Sequence, residues 1–543
     1  MKRYYKGLVY AGLLAILTGT NACTDLDETL YNEIDASKFY NNRQEILSAV
    51  LRPYTHANAW TAPTGQNGHW RITELSADQL AWPQKGRHGY DDAQWIRLHG
   101  HSWSYTENTV WNPYNLMFTG VGFCNNALGD FSRVDFAKVG VSETDKNAFI
   151  AELRVFRAYH YMKLMDMYGN IPIVTTVGTP TSPETRPRAE VFAFVEKELT
   201  ESVDLLPNLE QKYIGRITKA AGYSMLAELY LNAEVWSGKA RWDECIAACD
   251  KIISGQTGGL NGAPVLDADL VSTYSNTNNN SKEILFQLVY DAQLTSTRCG
   301  WNSDFYHFNQ RYIYDGDNNG NNGVVVIPSA YDAFKDTDLR KKQWFLIGPQ
   351  FYAADPTRPV LGTEEYKDRQ LVFVKEIRRA SENGTASSMI TGEENSGARF
   401  NKYRPGRQSE PKYWSNDWSL YRLSEIYYNK AEALMRKSGG TATAEAVKLV
   451  NDVRKRAFSA ADFEKEAYTT ATLTLDEMLA ERGREFIFEG KRRTDLIRFG
   501  KFVTASWWDH TPSGDQNKNL YPLPQRQLAA NPNLKQNPGY PAQ

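Results

Sequence analysis

The chain has 543 residues, 62 Lys and Arg against 64 Asp and Glu, a formal charge of −2 and 13% aromatic residues. That balance excludes the basic surplus by which nucleic-acid binding is recognised, and so many aromatic residues exclude a disordered chain. The length exceeds that of one typical domain.

In chain order, Lys2, Arg3 and Lys6 precede an apolar run from Gly7 to Leu17, then small and polar residues from Thr18 to Ala22, then Cys23. These are the parts of a secretory leader. The run is shorter than the roughly 20 residues a bilayer span needs. A cysteine at the end of such a leader is the acylation point of a bacterial lipoprotein. The reading is therefore a signal peptide over 1–22, lipid on Cys23, and a tether over 23–35. Thr20, where Leu is commonest, departs from that pattern. The acidic residues Asp25, Asp27 and Glu28 after Cys23 resemble a surface-export signal of lipoproteins. Without the three cations of the leader the charge is near −5. No later apolar run reads as a membrane span.

A single body is expected over 36–543. Apolar residues at three- and four-residue spacing predict helices over 36–57, 109–130, 144–168, 188–206, 218–236 and 241–254. Gly169, Asn170 and Pro172 should end the third of these. The 218–254 stretch reads as a helical hairpin of tetratricopeptide type, with a second over LYRLSEIYYNKAEALMRK and TAEAVKLVNDVRKRA. One hairpin cannot bury its own apolar face, so several should stack. The fold class expected is mainly α, with N-terminal helices over 36–254 and C-terminal helices and a wrapping tail over 416–543. Between them, 255–415 is rich in Asn, Gly, Asp and aromatic residues, with strand-like runs EILFQLVY and QLVFVKEI. Cys124, Cys245, Cys249 and Cys299 are too few for a disulfide framework in so long a chain. Cys245 and Cys249 share one helix face, which suits buried small apolar residues.

Several segments together resemble the SusD/RagB family of outer-membrane nutrient-uptake lipoproteins. They are VWNPYNLMFTGVGFCNNAL, AELRVFRAYHYMKLMDMYGNIPIVT, GRITKAAGYSMLAELYLNAEVW, FNKYRPG, YRLSEIYYNKAEAL, LAERGREFIFEGKRRTDLIRFGK and LYPLPQRQLAANPNL. The resemblance implies a non-enzymatic, cofactor-free lid over a TonB-dependent, SusC-like transporter. Such a lid captures oligosaccharide on the cell-surface face of the outer membrane and releases it into the barrel. Capture of peptide or glycopeptide is the rival cargo, and a surface glycoside hydrolase is the rival class.

Tryptophan carries the site reading. Six of 14 fall between Trp60 and Trp111, mostly in loop-like text, and an indole offers a sugar a flat apolar face with a polar edge. Trp82, with Asp78, Gln79 and Arg87 around it, is the leading ligand contact, and the stretch from Glu74 to Trp82 resembles one that carries a glycan-stacking tryptophan in the family. Trp60, Trp70 and Trp95 follow. Trp103 and Trp111 are assigned to the core. In the middle tract, Trp301 and Tyr306 are candidates, and Asn318 lies in a polar loop that could touch glycan. That loop, Asp315 to Gly320, matches the opening of a calcium loop through Asp315, Asp317 and Asn319. Val326 stands where the bidentate acid is required, so the match is weak. In the segment from Glu481 to Asp495 the interleaved arginines argue for ion pairs between helices rather than for acid–base chemistry.

Overall fold

The computed structural model describes residues 39–63, 68–178, 181–292, 302–316, 319–405 and 414–542. The leader, Cys23, the tether, Cys299, Trp301, Asp317 and Asn318 lie outside the described residues.

Helix α1 (Arg43–Thr61) starts later than the periodicity predicts, because the Asn42 side chain caps it by accepting the Glu45 N–H. The short α2 (His69–Leu75) follows. Helices α3 (Asn108–Phe131) and α4 (Glu143–Tyr168) match expectation within a residue. Ser142 caps α4 and Gly169, at φ 66°, ends it. Helix α3 lies so close on α4 that a Cβ at Gly120 would sit 2.1 Å from His160 Nε2, which is why glycine stands there. Helix α5 (Arg188–Ser202) packs against α4. The stretch 218–236 is not one helix. It breaks at Asn232 into α6 (Lys219–Leu231) and a short turn of helix, because the Asn232 amide bonds the Glu228 carbonyl in its own last turn.

Helix α7 (Trp242–Ile253) completes the first hairpin with α6, and α8 (Leu423–Lys437) with α9 (Ala444–Arg454) makes the second. Helix α7 packs on both α6 and α8. The two ends of the chain thus form one stack of hairpins, with one buried cluster running through α6, α7 and the start of α8 and a second between α8, α9 and the later helix Leu475–Phe486. Cys124, Cys245 and Cys249 are buried and unpaired within that stack. The tail lies against the end of α4: Tyr521 N–H donates to the Met167 carbonyl at 2.8 Å and the Asn537 amide to the Tyr168 carbonyl at 2.7 Å.

The middle tract has only short strands, paired in twos among the described residues. Strand β1 (Leu80–Ala81) pairs antiparallel with β3 (Val325–Val326), and β2 (Ile284–Leu288) with β6 (Trp418–Arg422). Strands β4 (Phe351–Tyr352) and β5 (Asp355–Pro359) form a hairpin whose second strand is exposed along its whole length.

Helices α10 (Leu475–Phe486) and α11 (Arg492–Arg498) hold the charged segment. Its carboxylates are buried and ion-paired. Glu481 meets Arg340 at 2.9 Å and Arg484 at 2.8 Å, and Glu485 meets Arg340 at 3.0 Å and both Arg422 and Arg456 at 2.8 Å. Glu489 meets Arg422 at 2.8 Å and Lys402 at 2.6 Å. Burial alone would raise these acids. The surrounding cations outweigh it, holding Glu489 down at about 2 and Glu481 well below the glutamate range. No helix among the described residues is long and apolar enough to cross a membrane.

Candidate ligand-binding face

The segment from Trp70 to Trp82 is fixed from below by the far end of the chain. Trp70 Nε1 donates to the Phe488 carbonyl at 2.6 Å, and Gly490 N–H donates to Glu74 Oε1 at 2.6 Å. Gln79 Nε2 donates to the Gly483 carbonyl at 2.7 Å. Arg492 forks onto both oxygens of Asp78 at 2.6 and 2.8 Å. Phe488 and Gly490 both adopt positive φ, which turns their backbone groups toward this segment.

These contacts correct the sequence reading of several candidates. Trp60 and Trp70 are fully buried: Trp60 lies among Tyr159 and His160, and Trp70 against Phe305. Neither has a face left for a ligand. Gln79 is buried on its Gly483 bond, and Asp78 is engaged by Arg492. Trp82 is 8% exposed and Trp95 3%. The two indoles stack at 4.8 Å and 8°. The Arg71 guanidinium lies 5.2 and 5.3 Å from their rings and is ion-paired to buried Asp304. Gly89 and Gly323 cover Trp82 closely. The pair is a support under the surface rather than a stacking platform on it. Tyr306 is also interior, stacked on Tyr314 at 5.4 Å. Trp103 and Trp111 were assigned to the core. Trp103 is there, bonding Tyr540 at 2.9 Å, whereas Trp111 is half-buried beneath Arg526.

What the support presents is the loop that follows it. Arg87 is exposed and reaches Glu364 at 2.9 Å; His88 lies 3.5 Å from the same carboxylate and 4.8 Å from the Phe308 ring. Tyr90, on the same loop, is 52% exposed. Beneath them Glu394 fixes the opposing loop. Its buried carboxylate accepts the N–H groups of Thr363 at 3.0 Å, Glu364 at 2.6 Å and Tyr366 at 3.1 Å. Burial would raise this acid, but His307 and those amides outweigh it and hold it down at about 2. Burial pushes neighbouring His307 down to about 4, although Glu394 opposes that shift. At neutral pH an anionic Glu394 therefore sits beside a neutral imidazole. Next to this loop Tyr312 and Tyr352 stack at 4.7 Å, with Arg358 4.1 Å over the Tyr352 ring at the exposed hairpin.

Of the sequence candidates, then, Arg87 reaches the open face, while Trp82 and Trp95 lie under it. His88, Tyr90, Phe308 and Glu364 were missed, and only the first two had a signal, by adjacency to Arg87. In the calcium-like loop, Asp315 takes φ 54° and the Asn319 side chain accepts the Arg311 N–H at 3.3 Å. Val326, at the twelfth position, is buried in β3. Among the described residues no three His, Cys, Asp or Glu side chains are placed to hold a metal ion.

Two family models match, one described as the SusD family over residues 282–540 and one as "starch-binding associating with outer membrane" over 26–231. Starch-binding protein SusD of Bacteroides thetaiotaomicron is 25% identical, covering 99% of each chain. Among solved structures, surface glycan-binding protein A from Bacteroides thetaiotaomicron in complex with laminarihexaose superposes with TM-score 0.69 at 20% identity, over 91% of this chain and 99% of that one. NanU of B. fragilis superposes with TM-score 0.71 at 19% identity, over 94% and 100%. Those two likenesses carry the fold. With two models of one family lying in order along most of its length, and a relative aligned from end to end, the chain belongs to the SusD/RagB family.

Proposed function

We propose that this protein captures oligosaccharides at the outer face of the outer membrane and hands them to a SusC-like, TonB-dependent transporter. The observation that supports the capture step most directly is the loop carrying the exposed Tyr90, His88 against the Phe308 ring and the Arg87–Glu364 pair, beside the Trp82–Trp95 stack. Aromatic faces suit the C–H side of a pyranose, and a carboxylate with a guanidinium suits its hydroxyl rim. The starch-binding and laminarihexaose-binding relatives favour a glucan as cargo. No acid–base pair is proposed, since Glu481, Glu485, Glu489 and Asp495 are each closed into ion pairs with arginine. Lipid on Cys23 would keep the capture face beside the transporter, since two or more acyl chains give stable anchoring.

The test is isothermal titration of the mature chain against malto- and laminari-oligosaccharides, with a peptide mixture as comparison. Binding of at least one glucan, weakened at least fivefold in Tyr90→Ala and Arg87→Ala, is expected. Binding of peptides and no glycan would overturn the reading.

A further inference from the structure

The backbone that follows Tyr90 is strained. Asp91, Asp92 and Ala93 take φ of 43°, 55° and 57° in succession. Every other non-glycine residue with positive φ among the described residues stands alone. In that region the Cβ of an L-residue crowds the following carbonyl oxygen, so each such residue is costly, and Asp tolerates it better than Ala. The local sequence does not ask for this turn. Tyr90 before it and Gln94 after it are right-handed. Asp-Asp-Ala leading into the short helix Gln94–His99 would suit one more turn of that helix, because acids favour a helix start and Ala favours any helix position.

Side chains of that short helix hold the turn instead. Trp95 Nε1 donates to Asp91 Oδ2 at 2.7 Å, and Arg97 Nη1 donates to the Asp92 carbonyl at 2.7 Å. Both are anchored in turn: Trp95 by its stack on Trp82, and Arg97 by Glu107 at 2.7 Å, just before α3. A right-handed continuation would aim the Asp92 carbonyl along the helix toward the Ile96 N–H and away from Arg97. The residue entering the turn is Tyr90, the most exposed aromatic residue among those described. Strained backbone persists where surrounding contacts over-determine it, and it collects at ligand sites.

We infer that Asp91 is a positioning residue for glycan capture: its carboxylate, fixed on the Trp95 indole, keeps the left-handed turn and so aims Tyr90 out at the face. The inference rests on the capture reading and adds to it the residue that sets the direction of the exposed ring.

The experiment titrates variants of the mature chain with maltoheptaose and laminarihexaose. Asp91→Ala removes the acceptor and puts Ala where φ is positive. It should weaken binding at least about fivefold, as losing one hydrogen bond warrants, with Tyr90 still present. Asp91→Asn keeps an oxygen for Trp95 and should bind within about twofold of the parent. Ala93→Gly frees the turn of its least tolerant residue and should bind at least as tightly as the parent. The double variant Tyr90→Ala with Asp91→Ala should bind no more weakly than Tyr90→Ala alone, because the two act through one ring. Three results overturn the inference alone: Asp91→Ala binding like the parent, its loss adding in full to that of Tyr90→Ala, or Ala93→Gly being as damaging as Asp91→Ala. Tyr90→Ala without effect removes Tyr90 from the face, and this inference with it. Failure of both glucans to bind overturns the glucan-capture reading together with the inference.

Discussion

Replacing Glu74 by Gln should stabilise the protein, and by an amount that depends on pH. Glu74 is fully buried in α2; its Oε1 accepts the Gly490 N–H, and its Oε2 has no partner. Burial raises its carboxyl from 4.5 to about 8. Below pH 4.5 both folded and unfolded chains carry the proton. Between 4.5 and 8 the unfolded chain ionises while the folded chain keeps its proton, so stability falls by about 1.4 kcal/mol per pH unit and then levels off. Gln keeps the carbonyl for Gly490 and carries no ionisation cost. At pH 7 the gain is therefore about 3 kcal/mol. With an unfolding entropy of about 2.1 cal/mol/K per residue, some 500 ordered residues turn that into a rise of about 3 °C in Tm. Differential scanning calorimetry of both chains from pH 5 to 8 should show the difference grow from under about 1 °C to about 4 °C. A shift independent of pH, or a loss of stability at pH 7, would refute the assignment of a neutral Glu74.

Arg422→Met removes the cation shared by Glu283, Glu485 and Glu489. It should destabilise by about 3–5 kcal/mol, because the carboxylates stay buried with fewer partners; a urea midpoint unchanged within error would contradict the ion-pair account. Gly323→Ala places a Cβ 2.6 Å from two Trp82 carbons and 2.7 Å from the Asp304 carbonyl oxygen. Either the Trp82–Trp95 stack or its neighbour must shift, at about 1–3 kcal/mol. Altered tryptophan fluorescence and a lower Tm are expected, and a native spectrum would show that the stack is not confined there.

The helical scaffold was readable because periodicity and caps are local. Ser142 and Gly169 bracket α4 within the text of the helix itself, and the Glu481–Asp495 charges announced their pairing by alternating sign. The break at Asn232 was missed because an amide folding back on its own helix leaves the apolar spacing intact. The site was far less readable. Loop text around Trp60 and Trp70 looks exposed, and only partners as remote as Tyr159 and Phe488 bury it. Trp82 reads from the sequence as a ligand contact, yet it lies under the surface, packed by Trp95, Arg71 and two glycines that no local pattern links.

The clasp of the Trp70–Trp82 segment onto residues 483–492 also sets a schedule. Its bonds join residues 414, 416 and 418 positions apart: Asp78 with Arg492, Glu74 with Gly490, Trp70 with Phe488. At 5–20 residues per second, the later partner is synthesised roughly 20–80 s after the earlier one. Until then Asp78, Glu74 and the Trp70 indole have no counterpart, and the support under the face cannot close. Loops this long also form late in folding. A chain cut short before residue 488 would therefore keep most of its hairpins and still expose no finished face. The fold thereby makes capture a property of complete chains only.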